Sequence, residues 1–397
     1  MKKKLIILSA ISVTCLGAVG IGASLKAADG MLFAGAESGN VWVHYAKKAA
    51  TKTEKGIREY WVNCQTNEHV FVAPTGGTIQ EGAQYNTSGF TEDDDRWILP
   101  VSLPAQDVVM TAEKKVLNLG DYAGGTITSI KAGSFDLGTN ASDLDVSAFA
   151  NDHKNDGFYT VEVETVKDDK AYAIYADTTF VTAMISSLDD YKTYILPDTA
   201  KVCKYGYFKM GADVNVQSLG DLGSSPFFDF DASFSGTLDG NGRKIVGKSS
   251  DNIGALQNLK GATIKNLTIQ DGWYTGRGCL LARNTWNVTL TNVSFKITAG
   301  NSTVVPETKD NAGWIAYSRF MGVSMTDCTF DASGYNIGSL FGRGGNWTIP
   351  TAKNCVAKAK TMVEAMHSNY TTKTYQPENV TLKEGEEAIK GLTFVQA

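Results

Sequence analysis

The sequence predicts an all-β protein whose C-terminal half is a parallel β-helix, and two observations carry that prediction. Four segments between residues 253 and 357 open on a glycine followed by bulky residues: Gly254-Ala-Leu256, Gly278-Cys-Leu280, Gly313-Trp-Ile315 and Gly338-Ser-Leu340. Each closes on an alternating strand with Asn or Asp at one fixed place, namely Asn266, Asn292, Asp327 and Asn354. The glycines lie 24, 35 and 25 residues apart and the Asn/Asp positions 26, 35 and 27. A repeat of that length built from short strands is a solenoid signature, because one unit cannot bury its apolar face until a neighbour stacks on it.

Alternation fixes which side chains face in. Successive strand residues point to opposite faces, so the position after each Asn/Asp (Leu267, Val293, Cys328, Cys355) is expected to point inward. The two cysteines there act as small apolar residues in place of Leu and Val. Stacked strands about 4.8 Å apart fall within disulfide reach; the pair is read as two packed thiols, and geometry alone leaves a bond open. The Asn/Asp column should form a side-chain hydrogen-bond ladder at a corner of the coil.

Upstream lies Phe234-Ser-Gly-Thr-Leu-Asp-Gly-Asn-Gly242, followed by Gly254-Ala-Leu256 and Ala262-Thr-Ile-Lys-Asn-Leu-Thr-Ile269. This succession resembles the opening coils of secreted bacterial surface proteins with a pectate-lyase-like right-handed β-helix, among them proteins with GLUG-type repeats. The resemblance covers roughly residues 205 to 360. It implies the fold and leaves function to the site, since one fold hosts many activities. Asp239-Gly-Asn-Gly242 also has a local reason: Asn and Gly accept the positive φ of a tight turn.

The remaining elements follow in order. Lys2, Lys3 and Lys4 precede an apolar run from Leu5 to about Ala23, so residues 1–27 are read as a secretory signal peptide. Residues 28–76 are expected to form a small β-rich module resembling zinc-ribbon-like modules of Gram-positive surface proteins. Its second Cys position is Asn67, which leaves His44, Cys64 and His69 as three ligands where a structural zinc takes four. Polar, turn-rich residues 77–107 read as a linker. Residues 108–184 read as an immunoglobulin-like β-sandwich, with a hairpin joining Phe158–Val166 to Ala171–Ala176 across Lys167-Asp-Asp-Lys170. In 185–204, Ser186 or Ser187 can cap a helix that carries Leu188, Tyr191 and Ile195 on one stripe, and this helix should cover the open end of the stack. The β-helix then spans 205–360, and 361–397 form the other cap or tail.

Composition narrows the function. Removing the signal takes four of the 37 basic residues and leaves 33 against 42 acidic ones, a balance of −9. That balance argues against nucleic acid as a partner. No stretch after the signal approaches the ~18 apolar residues of a membrane span, so an extracellular, secreted protein is expected, held at a surface non-covalently if at all. Five scattered cysteines in the mature chain do not make a disulfide framework.

Two groups of residues could carry chemistry. Asp229, Asp231, Asp239, Arg243 and Lys244 are the candidates if the β-helix cleaves acidic polysaccharide, because such enzymes use clustered carboxylates, calcium and a basic residue. Residues 205–360 contain no His; the four are His44, His69, His153 and His367. The acidic run Glu92-Asp-Asp-Asp95 offers clustered oxygens to calcium but reads as a solvated loop. The second group precedes the last three closing strands: Arg283 with Trp286, Arg319 with Phe320, and Arg343 with Trp347. Flat rings and guanidinium groups stack on sugars and pair with carboxylates or sulfates. The expectation is therefore a cell-surface-type binding or adhesion protein that contacts a polysaccharide or host glycan, without a required cofactor. The alternatives are a polysaccharide lyase or glycoside hydrolase of the β-helix class, and a structural spacer.

Overall fold

The computed structural model describes residues 40–83, 85, 87–150, 153–196, 204–216, 233–247, 255–270, 281–297, 315–337, 340–341, 350–362, 383–385 and 387–397. Over the described residues, 53% strand and 5% helix make an all-β protein. It divides into two compact units: Met1–Gln106, Lys114–Ala148 and Phe158–Thr178, and then Asp107–Glu113, Phe149–Gly157 and Thr179–Ala397.

The first unit begins with a four-stranded sheet. Val41–Tyr45 lies between Tyr60–Asn63, antiparallel, and Thr78–Ala83, parallel, while His69–Val70 forms the outer strand beyond Tyr60–Asn63. Its core joins Val43, Tyr45, Ile57, Tyr60 and Val62, with the Tyr45 and Tyr60 rings stacked 4.7 Å apart. A six-stranded sheet follows in the order Gly56–Ile57, Trp97–Val109, Lys170–Val181, Gly157–Lys167, Thr126–Ala132, Phe135–Asp136. The expected hairpin is present, its turn made by Asp168 and Asp169 at φ 51° and 61°. Residues 77–107, read as a linker, instead contribute Thr78–Ala83 and the 13-residue strand Trp97–Val109. Pro100 and Pro104 hid that second strand. They are tolerated because its Gly56–Ile57 neighbour pairs only with Trp97 and Ile98, leaving the rest of that side free of ladder bonds. From 108 to 184 the described strands join this one sheet and the start of the stack below, rather than two facing layers of their own.

The second unit is a stack of parallel strands with a β-helix-like repeat. One ladder runs Ala183–Ile185, Tyr207–Met210, Thr237–Asp239, Thr263–Lys265, Thr289–Thr291, Ser324–Thr326, Thr351–Lys353, every step parallel. A second runs Val214–Asn215, Lys244–Val246, Thr268–Gln270, Ser294–Lys296, Thr329–Asp331, Val356–Lys358, Thr393–Val395. A third consists of Leu256–Lys260, Ala282–Trp286 and Ala316–Met321. The stack thus begins at Ala183, ahead of the helix, and not at Tyr205.

Between the first two ladders each coil turns at Asn266, Asn292, Asp327 or Asn354, all at φ between 51° and 54°. Asn and Asp adopt this left-handed conformation more readily than other non-glycine residues. Asn266 donates to Asp239, Asn292 to Asn266, and Asn354 to Asp327, at 3.1, 3.0 and 3.1 Å. The expected ladder therefore exists in two runs, one headed by Asp239 and the other by Asp327. A second corner sits five residues earlier, at Gly261, Asn287 and Gly322, with φ 65°, 50° and 63°. A Cβ on Gly322 would come within 2.3 Å of Asn287 Oδ1, so glycine here leaves room for that amide.

Inside, register stacks Leu267, Val293, Cys328, Cys355 and Leu392, each at most 1% exposed. Cys328 and Cys355 are free thiols. Phe295 and Phe330 stack in the same core at 5.1 Å. The helix Leu188–Tyr194 is capped by Ser187, whose Oγ accepts from Asp190 N at 3.0 Å. It inserts Tyr191 and Ile195, both 1% exposed, into the core of the stack. At the far end Glu387–Ile389 folds back antiparallel on Leu392–Gln396, which ends the parallel edge.

Candidate functional site

The outward positions of the first ladder form two continuous columns. One reads Tyr207, Thr237, Thr263, Thr289, Ser324, Thr351; the other reads Lys209, Asp239, Lys265, Thr291, Thr326, Lys353. Their inward neighbours Phe208, Leu238, Ile264, Leu290 and Met325 are buried, which is what alternation demands. Thr289, Ser324, Thr351 and Lys353 are exposed. Thr351 Oγ1 donates to Ser324 Oγ at 3.1 Å, so hydroxyls of adjacent coils stand within bonding distance. With strands about 4.8 Å apart, six of them give a face about 24 Å long.

The early coils hold this face with charge. Asp239 Oδ2 accepts from Tyr207 Oη at 2.8 Å and lies 3.4 Å from Lys265 Nζ, which sits 5.0 Å above the Tyr207 ring. Burial pushes the Asp239 carboxyl up. The Asn241 amide, Tyr207, Asn266 and Lys265 together outweigh it and hold the group below its ordinary 3.8. Burial and the hydrogen bond to Asp239 push the Tyr207 phenol well up. Lys209 pairs with Asp107 at 2.6 Å.

Beside Thr237, the first column opens into a cleft of about 160 Å³ lined by His153, Lys154, Asp156, Tyr205, Ser235 and Thr237. His153 takes φ 55° on a tight turn, and its Nδ1 lies 2.9 Å from Oδ2 of Asp156, whose side chain is fully buried. Thr182 Oγ1 donates to the same carboxylate oxygen. Lys154 Nζ lies 5.2 Å over the Tyr205 ring. Gly206 and Gly236 stack behind, since a Cβ on Gly236 would meet the Gly206 carbonyl at 2.3 Å. The cleft thus presents an oriented imidazole, a cation over an aromatic face, and hydroxyls. Sequence reasoning missed it, because His153 lies far along the chain from Ser235. The one local signal was a His and an Asp three residues apart in a turn.

The residues singled out from sequence divide differently. Asp229, Asp231, Arg343 and Trp347 lie outside the described residues. Asp239 heads one run of the corner ladder, and Arg243 is exposed on the turn after it. In the third ladder Trp286 is opposite Met321 and Phe320 opposite Thr285; Arg319 is opposite Asn284, after a register shift beyond Ala282. Arg283 with Trp286 and Arg319 with Phe320 are therefore offset rather than stacked column on column. Asn284 and Asn258 occupy that register instead, as a buried pair bonded at 2.8 Å.

The residues weighed as zinc ligands, His44 and His69 among them, do not converge. His44 pairs across to Trp61 and His69 to Val62, adjacent residues of one strand, so the two imidazoles lie on opposite faces of the sheet. His44 stacks on Trp61 at 4.7 Å and is held by Glu59 at 2.8 Å and by Glu81. His69 bonds Asp95 at 2.8 Å. The acidic run is likewise divided among bases: Glu92 faces Lys55, Asp93 Lys170, Asp94 Arg96 and Asp95 His69. Among the described residues no three His, Cys, Asp or Glu side chains form a metal-holding group, and no helix is long and apolar enough to cross a membrane. Comparison with protein-family models, curated proteins and solved structures gives no match.

Proposed function

We propose that this is an exported glycan-binding protein whose stack, a right-handed β-helix of pectate-lyase-like type, lays its outward hydroxyl face against an anionic polysaccharide. The observation that supports this most directly is the unbroken column Thr237, Thr263, Thr289, Ser324, Thr351 beside Lys265 and Lys353. Threonine suits any strand, which accounts for one such residue but not for hydroxyls in register on five coils. A polymer lying along the stack meets the same donors at each step, so weak contacts add through repetition. Lysines and the Lys154 cleft favour acidic sugars over neutral ones. The run Lys2–Lys4 with its apolar sequel supports export.

The test is affinity electrophoresis of the mature chain in gels containing a polyuronate or a neutral glucan. Retardation by the polyuronate alone is expected. Thr289→Val, Ser324→Val and Thr351→Val together keep strand propensity and should weaken binding at least tenfold, a loss of about 1.4 kcal/mol. Undiminished binding by a folded triple variant would remove this face as the site.

A second reading, cleavage of the bound glycan, is favoured by one observation, the imidazole of His153 oriented by buried Asp156 as a general base requires. New reducing ends released by the native chain, and lost on His153→Ala, would establish it.

A further inference from the structure

The inward column places two thiols on adjacent coils. Thr329 is opposite Val356, and the Val356 amide donates to the Cys328 carbonyl at 3.0 Å, so Cys328 and Cys355 are register partners. Parallel neighbours lie about 4.8 Å apart, inside the roughly 4.4–6.8 Å between Cα atoms that a disulfide spans. Both side chains point into the core, and each Sγ lies 3.4 Å from the carbonyl two residues back, Thr326 for Cys328 and Lys353 for Cys355. The two sulfurs therefore lean the same way along neighbouring strands, and the Cys328 thiol hydrogen-bonds to Cys355.

We propose that Cys328 and Cys355 are a redox couple that closes as a disulfide between successive coils. This stands independently of the glycan reading. The oxidant is a small disulfide such as oxidised glutathione, or the disulfide of a thiol oxidase. One thiolate attacks an oxidant sulfur and expels the other sulfur as a thiolate, giving a mixed disulfide. The second thiolate then attacks the cysteine sulfur of that mixed disulfide, forming the Cys328–Cys355 bond and expelling the remaining oxidant thiolate. Two electrons pass to the oxidant, and the two cysteine protons end on its two thiols. The hydrogen bond from Cys328 holds the Cys355 thiol below its ordinary range against the opposing effect of burial. That hydrogen bond and burial push Cys328 up. Since the two thiols are 0% and 1% exposed, closure belongs to folding or local opening, and the finished bond is shielded from reductant.

The mature chain is unfolded, reduced, and refolded with oxidised glutathione; free thiols are then alkylated under denaturing conditions and tryptic peptides mapped. Trypsin cuts after Lys353, between the two cysteines. The expected result is a linked peptide pair containing Cys328 and Cys355, with Cys64, Cys203 and Cys279 alkylated. The oxidised chain should melt at least about 5 °C above the reduced one. Cys328→Ser or Cys355→Ser should abolish both the link and the shift. If the serine variants fail to fold, Cys328→Val with Cys355→Ala keeps the site apolar and should melt identically with and without oxidant. Full alkylation of both cysteines in folded, oxidised protein would overturn the proposal, as would linkage of either to a third cysteine.

Discussion

Asn266 Nδ2 donates to the Asp239 carboxylate at 3.1 Å, and Asn292 repeats the bond onto Asn266 one coil later at 3.0 Å. At Asn266, Asn292 and Asn354 one residue type thus meets two demands. It turns the chain through positive φ and ties its coil to the previous one.

Substitutions at Asn292 should separate those demands. Asn292→Gly keeps the left-handed corner and loses the ladder bond, at a cost of about 1 kcal/mol. Asn292→Ala also forces a Cβ into that conformation and should cost about 1 kcal/mol more. Urea unfolding of both variants measures the gap; equal losses would mean that backbone conformation contributes nothing at this corner.

Acid should weaken the stack through Asp239. Its folded pKa lies below the unfolded value near 3.8, so its contribution is present above that value and lost as pH falls through the folded one. Asp239→Asn should lower stability at pH 6 and flatten the decline below about pH 4. A variant whose stability keeps the native slope below pH 4 would assign acid sensitivity to other carboxylates.

His44 should give the N-terminal sheet the opposite dependence. Burial lowers its pKa, but Glu81 and Glu59 together raise it above 6.5. Its stabilising contribution is complete below pH 6.5 and fades as pH rises through the folded value. Amide exchange of Val41–Tyr45 should therefore quicken from pH 6 to 8 beyond the intrinsic increase, and His44→Gln should remove that excess. An unchanged profile in the variant would exclude the imidazole.

Tyr191 ties the helix to the stack both by burial and by its hydroxyl, which donates to the Ala255 carbonyl. Tyr191→Phe should cost about 1 kcal/mol, and Tyr191→Ala roughly 3 to 5 kcal/mol by opening a cavity beside Ile195. Thermal unfolding checks both; a mild alanine variant would mean that the helix does not close the core.

Much of the stack was legible because its signals are local. Period and alternation placed Leu267, Val293, Cys328 and Cys355 in one inward column, and the repeated Asn/Asp marked the corners. Ser186 or Ser187, with Leu188, Tyr191 and Ile195, specified a capped helix with one apolar stripe. The strand Trp97–Val109 was not legible, because Pro100 and Pro104 are acceptable only where a neighbouring strand stops short, and that depends on residues 56 and 57.

The sequence by itself thus determined which residues repeat, which face inward and where each coil turns, since these follow from backbone periodicity within a few positions. Tertiary structure alone decided the rest. A shift beyond Ala282 set Trp286 opposite Met321 instead of Phe320, because ladder hydrogen bonds between coils fix register and residue spacing does not. Packing likewise brought His153 and Asp156 beside Ser235 and Thr237. Residues some eighty positions apart leave no periodic trace of one another; only the stacking of coils and the burial of Asp156 create that cleft.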